Sequence, residues 1–312
     1  SIGVATVQDF HDSVEQVMAN AEFAMRKAKA DGRNKVVEFR DQQSLADEYK
    51  SIESAAIAKI ENTLKADSFE LRAQAIVQNV ENFADLPVKY YEVLLGIKDG
   101  HGELASPQDF IVSAERFGYM VEVDRWIVNE VFAWIARQMD DQREIPNLSI
   151  NLSGTSISDD RFMDYLFEKI SDYGVGTNRI CFEITETGTI SNMTKAADFV
   201  RALKNIGCRF SIDDFGTGLA SHNYLRELPV DYLKIDGTFI ATIHQNDKDY
   251  AMVKSINDLA HFLGQQTIAE FVENDHIIDS LRTIGVDYLQ GWGVSKPIPL
   301  SELTKSLPRL QT

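Results

Sequence analysis

Acidic, amide and amine side chains recur at the ends of short apolar runs in this chain. The residues that share this position are Glu92, Asn151, Glu183, Glu186, Asp213, Asp214, Lys234, Glu270, Glu273 and Gln290. Because the carboxyl ends of parallel strands open on one face of a barrel, where active sites of that architecture lie, we expect these side chains to converge. Carboxylates gathered in one cleft repel one another, and divalent cations relieve that repulsion.

The donor types of this set predict both the metal and the reaction. Carboxylate and amide oxygens without Cys or His ligands suit Mg²⁺ or Mn²⁺ better than structural zinc. Two such ions about 4 Å apart generate a hydroxide and stabilise the attacking and leaving oxygens of an in-line phosphoryl displacement. The sequence therefore indicates hydrolysis of a phosphodiester.

Several residues near these ends have two interpretations. Lys234 either pairs with a neighbouring Asp inside the barrel or orients the attacking water, and the two roles can coexist. Asp214 is either a metal ligand, which we favour, or a support for Asp213. The segment 215–221, Phe-Gly-Thr-Gly-Leu-Ala-Ser, is either a phosphate-binding glycine loop or a gating loop. For His222 we predict a structural or solvated role.

Two aromatic residues and two thiols complete the candidates. Trp292 and Tyr288 are candidates for stacking on a base, with core packing as the alternative. Cys181 and Cys208 each lie in an apolar run without metal-ligand spacing, so we predict buried thiols in a reducing compartment.

Charge and composition restrict the partners of this chain. A net charge of -17 over 312 residues disfavours binding to a nucleic-acid polymer or an anionic membrane surface. An anionic ligand therefore needs metal ions or a local basic patch. No apolar run approaches the length of a membrane span, so we expect a cytoplasmic segment without membrane contact. Because the chain opens in a strand-like run, we expect it to belong to a longer protein, which leaves open a membrane anchor upstream.

The pattern of elements predicts an α/β fold with three parts. From residue 69 to 312, apolar runs alternate with helical patterns, which favours a (β/α)8-type barrel over an open doubly wound sheet. The eight predicted strands are Leu71–Val77, Tyr90–Ile97, Leu148–Leu152, Ile180–Ile184, Phe210–Ile212, Tyr232–Ile235, Thr267–Ala269 and Tyr288–Leu289. Residues 41–68 carry one apolar stripe and predict a helical linker. Residues 1–40 are predicted as strand, helix and strand, too small to fold alone.

Short motifs along residues 66–312 resemble those of the EAL family of cyclic-di-GMP phosphodiesterases. They are Gln74–Ile76, Glu92–Leu94, Asn151–Ser153, Glu183–Glu186, Asp213–Gly218, Leu233–Asp236, Ala269–Glu273 and Gln290–Gly291. The resemblance implies a modified TIM barrel whose first strand runs antiparallel. It also implies metal-dependent hydrolysis of cyclic-di-GMP to linear pGpG in second-messenger signalling, with cyclic-di-GMP as partner and a homodimer as the assembly.

The same resemblance implies a role for each matching residue. Glu92, Lys234 and Glu270 correspond to catalytic positions, and Glu186 to the acid that stabilises the loop after the fifth strand. The ligands of one or two Mg²⁺ or Mn²⁺ ions are expected to be Glu92, Asn151, Glu183, Asp213, Asp214 and Glu270. The substrate contacts are expected to be Gln74, Leu94, Asn151, Asp213, Lys234, Glu273 and Gln290.

One departure from the family pattern bears on activity. The signature triplet reads Glu-Val-Leu and keeps its carboxylate, but Gly96 stands where the family usually has an arginine that contacts phosphate. Loss of a charge-assisted hydrogen bond weakens binding by about tenfold or more. The alternative function is therefore a catalytically weak or inactive cyclic-di-GMP receptor. A sugar-processing barrel with paired carboxylates is a third reading, which Lys234 and Asn151 disfavour.

The start of the chain resembles a second family. Residues 1–40 are similar to the C-terminal end of a GGDEF, or diguanylate cyclase, domain. The matching pieces are Ser1–Ala5, Ala21–Met25, Ala28–Lys29 and Gly32–Asn34. The resemblance implies that the chain joins the end of a GGDEF-like domain, a helical linker and an EAL barrel.

Overall fold

The structure of the chain is a computed structural model. The structure describes residues 1–6, 13–30, 35–39, 54–64, 68–81, 88–98, 103–186, 188, 192–217 and 225–306. Two compact units divide the chain, Ser1–Lys59 and Ile60–Thr312.

The first unit is a strand–helix–strand arrangement, as the sequence predicts. β1 (Ile2–Ala5) and β2 (Val36–Phe39) pair in parallel, and α1 (Val14–Ala30) connects them. A methyl group at Gly3 would lie 2.1 Å from the carbonyl oxygen of Ala21, so α1 packs directly on the backbone of β1. The predicted turn at 31–34 lies outside the described residues.

Part of the predicted linker is helical. Residues 54–64 form α2, whereas residues 41–53 and 65–67 of the predicted linker lie outside the described part of the chain. The predicted boundaries after residues 40 and 68 therefore remain predictions.

The second unit is a closed barrel of eight principal strands, and all eight predicted strands are confirmed. They are β3 (Phe69–Gln78), β4 (Val88–Lys98), β6 (Leu148–Leu152), β7 (Ile180–Thr185), β8 (Arg209–Phe215), β9 (Tyr232–Ile235), β10 (Gln266–Ala269) and β11 (Tyr288–Leu289). β3 is antiparallel to both β4 and β11. β4 pairs in parallel with β6, and each strand from β6 to β10 pairs in parallel with the next one. The antiparallel first strand implied by the family resemblance is therefore present.

Two short strands extend the sheet beyond the predicted eight. β5 (Leu104–Ala105) pairs with β4, and β12 (Ile298–Pro299) pairs with β3. Neither β5 nor β12 was predicted, because no apolar pattern in the sequence marks these two-residue strands.

Helices cover the outside of the barrel. They are α3 (Gln108–Phe117), α4 (Met120–Asp140), α5 (Gly154–Ile157), α6 (Asp160–Tyr173), α7 (Met193–Asn205), α8 (Gly237–Ile240), α9 (Asp247–Phe262), α10 (Asp275–Ile284) and α11 (Leu300–Ser306). The Asn274 side chain caps α10 by accepting from the backbone N–H of Ile277 at 3.1 Å, and Gly285 ends it with φ at 90°. Helix α10 buries Ile277, Ile278, Leu281 and Ile284. Such helices exclude water from the outer surface of the strands.

An apolar and tyrosine-rich cluster fills the barrel near the starts of its parallel strands. This bottom layer consists of Ile76, Tyr90, Cys181, Tyr232, Ile268 and Tyr288. The ring centroids of Tyr90 and Tyr232 lie 5.6 Å apart, and those of Tyr232 and Tyr288 lie 6.0 Å apart. Tyr288 therefore packs in the core. Cys181 and Cys208 are buried free thiols, as predicted.

Within the described ranges, none of the helices has the length and apolar character needed to cross a membrane.

Candidate active site

Strand register brings the predicted residues to one end of the barrel. Gln74 pairs with Glu92 across β3 and β4, and Asn151 pairs with Glu183 across β6 and β7. Because side chains alternate between the two faces of a strand, residues two apart on one strand point to the same face. The inward-pointing side chains of neighbouring strands therefore meet inside the barrel. The sequence periodicity thus delivers polar groups to the mouth and apolar groups to the bottom layer.

The Lys234 ammonium is the centre of the site. Its side chain is 1% exposed, so the charge has almost no access to water. The distances from Nζ to carboxylate oxygens are 2.7 Å to Glu183, 2.7 Å to Glu270, 3.0 Å to Asp213 and 3.3 Å to Glu92. The predicted ion pair is therefore a cluster, with four carboxylates instead of one Asp. We name Lys234 and these four acids the mouth layer.

Neutral side chains fix two of these carboxylates. Asn151 Nδ2 donates to Glu92 Oε1 at 2.7 Å, and Gln290 Nε2 donates to the other oxygen, Oε2. Ser149 Oγ donates to Glu183 Oε1. Sequence reasoning missed Ser149, although its place two residues before Asn151 on β6 puts both on one face. These hydrogen bonds hold the carboxylates in one orientation before any ligand binds.

Burial and crowding shift the pKa of several groups in the site. Burial raises the pKa of Glu183 to about 8, and the charge of Glu92 adds to that shift. Burial likewise raises the pKa of Glu270 well above its ordinary range. Burial opposes the charge on Lys234, but the surrounding carboxylates outweigh it and leave the pKa of the ammonium well above its usual value. The carboxylates would therefore gain from additional positive charge.

Among the described residues, Asp213, Asp214 and Glu270 form a group that could hold a metal ion. One carboxylate oxygen from each lies within 4.8 Å of the other two. Burial and the charge of Asp213 raise the pKa of Asp214 to about 6. The donors are all oxygens, and the carboxylates of the mouth layer outnumber its single ammonium. This donor set fits a hard divalent cation.

A cavity of about 450 Å³ opens beside the mouth layer. Its lining includes six residues of the predicted site, Gln74, Glu92, Leu94, Glu270, Glu273 and Gln290. Gln74 is held in place because its Nε2 donates to the carbonyl of Ser295 at 2.8 Å. Phe271 and Trp292 also line the cavity. The sequence identified Trp292 as a stacking candidate but did not single out Phe271.

Glu186 lies behind the strand ends and contacts the next loop. Its Oε2 accepts from the backbone N–H of Gly216 at 3.1 Å, and the residue is buried. Glu186 therefore contacts the residue that follows β8, and its loop-stabilising role stays a prediction. Residues 218–224, which include His222 and most of the glycine loop, lie outside the described residues.

Gly96 lies on β4 beyond Leu94, opposite Glu70 of β3. A methyl group there would lie 2.6 Å from Leu104 Cδ1 and 3.2 Å from the carbonyl oxygen of Glu70. A larger residue at position 96 therefore requires the exposed Leu104 side chain to move.

The fold and the site together define an α/β barrel of the TIM type with an oxygen-rich, lysine-centred mouth. The model of the EAL domain matches residues 57–297. The chain belongs to the EAL-domain family.

Relatives and solved structures agree with that membership. The chain is 36% identical over 311 residues to cyclic di-GMP phosphodiesterase PdeB of Shewanella oneidensis, covering 96% of this chain and 35% of the relative. It is 34% identical over 248 residues to cyclic di-GMP phosphodiesterase PdeF of Escherichia coli, covering 79% of this chain and 32% of the relative. The chain thus spans about a third of the length of these curated relatives.

A solved structure of PaMucR phosphodiesterase in complex with c-di-GMP superposes with a TM-score of 0.73 and 26% identity. The match covers 80% of this chain and 99% of that one. The EAL enzyme Bd1971, in a form with cAMP and cyclic-di-GMP bound, matches 95% of this chain and 76% of its own with a TM-score of 0.74 and 28% identity.

Proposed function

We propose that this chain hydrolyses cyclic-di-GMP to linear pGpG in a metal-dependent reaction. The observation that carries the proposal is the mouth layer, in which one buried ammonium meets four carboxylates. Two of these acids, Asp213 and Glu270, form with Asp214 an all-oxygen group that could hold a metal ion. Membership of the EAL-domain family, and the printed names of PdeB and PdeF, support cyclic-di-GMP as the substrate.

The chain's own residues divide the work between charge and orientation. Lys234 keeps its proton because of the surrounding carboxylates, so it acts as a fixed positive charge toward phosphoryl oxygens and not as a base. Glu92 and Glu270, the other two residues proposed as catalytic, each hold one oxygen toward that ammonium. Hydrogen bonds from Asn151 and Gln290 prevent Glu92 from rotating. The site is thereby pre-organised for the reaction.

The proposed metal is Mg²⁺ or Mn²⁺, with two ions at the site. The residues proposed to hold them are Glu92, Asn151, Glu183, Asp213, Asp214 and Glu270. When bound, such ions neutralise phosphate charge and lower the pKa of a coordinated water. For the remaining substrate contacts, Gln74, Leu94, Glu273 and Gln290 line the cavity beside the mouth layer. A volume of about 450 Å³ is within the range of small-ligand sites.

Further parts of the proposal concern the rest of the protein. We propose that residues 1–40 are the end of a GGDEF-like domain, which the parallel strand–helix–strand arrangement of β1, α1 and β2 supports. Residues 41–68 are proposed as a helical linker and 69–312 as the EAL barrel, in a cytoplasmic part of the protein. A homodimer is proposed as the assembly. Solution scattering of the purified chain should give twice the mass of one chain, and a single-chain mass would reject the dimer.

The test of the enzymatic proposal is direct. The purified chain is incubated with cyclic-di-GMP and Mg²⁺ or Mn²⁺, and the product is separated by chromatography. We expect pGpG from the unchanged chain and a loss of about 10²-fold or more in Glu92→Gln, which keeps the side-chain shape but removes the charge. Glu302→Gln, an exposed change on α11, is the matched control and should retain full activity.

One outcome would favour the receptor as the second candidate. Gly96 is the observation behind it, because it lacks the positive charge that the family usually places there. If the unchanged chain binds cyclic-di-GMP but gives no product with either metal, the enzymatic proposal is wrong and the chain is a receptor.

A further inference from the structure

Two aromatic side chains on the cavity wall take no part in the proposed reaction. Phe271 is 63% exposed and Trp292 is 68% exposed, and both line the cavity beside the mouth layer. Single exposed apolar side chains are common on protein surfaces. Two large aromatic rings on the wall of one cavity are a different case. Their apolar surface stays exposed to water until a ligand covers it, and such patches mark binding sites.

The backbone of Phe271 adds a second, independent observation. Its φ is 50°, in the left-handed region that favours glycine. A bulky residue there costs of order 1–2 kcal/mol, and such strain persists where neighbouring structure enforces it and serves a functional site. The side chain occupies a matching space, because a methyl group at Gly237 would lie 2.2 Å from Phe271 Cδ2. The ring therefore rests on the Gly237 backbone.

Hydrogen bonds connect the segments that carry the two rings. The backbone N–H of Val272 donates to the carbonyl of Gln290 at 3.0 Å, and that of Gly293 donates to the carbonyl of Val272 at 2.8 Å. Each bond joins a residue beside Phe271 to a residue within two of Trp292. Gly291 permits this approach, since a methyl group there would lie 2.2 Å from the Val272 nitrogen. Backbone hydrogen bonds thus hold the two ring-bearing segments side by side along the cavity.

One positive charge lies beside Trp292. Lys296 Nζ lies 5.8 Å from the centroid of the Trp292 ring. This lysine places a positive charge beside a wall whose other charged lining residues include Glu270 and Glu273. A ligand with a flat, apolar base and a phosphate group would contact the rings and this charge together.

We propose that Phe271 and Trp292 form a base-stacking wall that binds a purine base of the dinucleotide beside the mouth layer. The inference rests on the proposed function, because it assigns a subsite to the same substrate. On this reading, the chain retains the strained backbone of Phe271 because the ring is needed at that place. Stacking of the base then stabilises the bound substrate and the transition state equally, so it raises affinity without changing the chemical step.

The test measures cyclic-di-GMP binding in Phe271→Gly and Trp292→Ala, as KM where turnover is seen and as Kd where it is not. We expect each change to weaken binding about fivefold or more, because stacking on one aromatic ring contributes on that scale. The kcat should change by less than about threefold. Phe262→Ala is the matched control, since Phe262 is 87% exposed on α9 and should leave binding unchanged.

Stability and fluorescence separate stacking from structural damage. Glycine accepts the φ of residue 271, so Phe271→Gly should raise the melting temperature while it weakens binding. Phe271→Tyr and Trp292→Phe keep a ring and should bind nearly as well as the unchanged chain. Cyclic-di-GMP should quench the tryptophan fluorescence of the unchanged chain, and most of that quenching should disappear in Trp292→Phe.

The outcomes distinguish this inference from the proposed function. If the unchanged chain hydrolyses cyclic-di-GMP but both ring-removing variants bind it within twofold of the unchanged chain, the stacking wall is wrong and the proposed function stands. If weakened binding accompanies a lower melting temperature in both variants and neither ring-keeping variant restores it, the inference is also wrong. If the unchanged chain neither binds nor hydrolyses cyclic-di-GMP, both proposals fall.

Discussion

The bottom layer and the mouth layer occupy the same barrel interior and differ in chemistry. On β9, Tyr232 belongs to the bottom layer and Lys234 to the mouth layer, two residues apart on one face and each 1% exposed. The bottom layer packs tyrosine rings edge to face. The mouth layer crowds four carboxylates around one ammonium.

The two layers differ in the free energy of burying their side chains. Rings and aliphatic groups gain from burial, so the bottom layer stabilises the fold through its own contacts. Buried carboxylates lose hydration, and the raised pKa of Glu183 records that loss. Because burial of the mouth layer costs stability, the surrounding apolar residues must stabilise the fold. The mouth layer itself is retained for its chemistry. The bottom of the barrel therefore stabilises the fold, and its mouth holds the groups suited to chemistry.

The largest expected effect comes from removing the central ammonium. Lys234→Met should lower the rate of cyclic-di-GMP hydrolysis by about 10³-fold, because a fixed positive charge at the reacting phosphate disappears. It should also destabilise the metal-free chain by about 3–5 kcal/mol, because buried carboxylates lose their partner. Initial rates and urea denaturation in EDTA measure the two effects.

Lys234→Arg keeps the charge with a different shape and serves as the folding control. A Lys234→Met chain that retains more than a tenth of the activity would remove the ammonium from the mechanism.

A positive charge added at the rim of the mouth should strengthen the binding of cyclic-di-GMP. Gly96→Arg is expected to tighten the Kd for cyclic-di-GMP about tenfold, because a guanidinium then reaches a phosphate oxygen. The change requires Leu104 to move, which its exposure permits. Gly96→Gln matches most of the length without the charge and should not tighten binding. An unchanged or weaker Kd in Gly96→Arg, compared by isothermal titration, would count against a phosphate at this rim.

A buried acid beside the end of β6 should give the free energy of unfolding a measurable pH dependence. Asp124 on α4 accepts from the backbone N–H and Oγ of Ser153 at 2.9 and 2.7 Å. Burial raises its pKa to about 6, above an unfolded value of about 4. Its folded form therefore favours the protonated acid, and the associated stability is present at low pH and lost as the pH rises through 6.

Asp124→Asn removes this titration. Relative to the unchanged chain, the variant should gain about 1 kcal/mol of unfolding free energy between pH 5 and pH 7. Chemical denaturation at the two pH values measures the gain. Parallel curves for the two chains would show that Asp124 does not titrate in this range.

The smallest effect is expected in the bottom layer. Tyr232→Phe removes a hydroxyl that accepts from Arg209 Nη1 at 3.3 Å and keeps the ring packing. It should cost about 1 kcal/mol of stability and leave kcat within twofold of the unchanged chain. The same assays used for Lys234→Met apply. A large loss of kcat would show that the two layers are not separable.

The sequence by itself determined the strands and the oxygen-bearing polar residues at their ends. Alternation of apolar runs with helical patterns is a local property, so all eight principal strands and the helical character of 54–64 follow from residue order. The oxygen-only donor set of Asp213, Asp214 and Glu270 is likewise a matter of residue type. The family motifs added the antiparallel direction of β3, which periodicity cannot show.

Only the tertiary structure decided how these residues meet. That Lys234 contacts four acids depends on the register of strands separated by many residues, and no local pattern encodes register across a closed barrel. The strain at Phe271 is equally invisible in sequence, because backbone φ is imposed by contacts with Gly237 and by the hydrogen bond from Val272 to Gln290. Residue types thus set which chemistry is possible, and long-range packing set which groups perform it together.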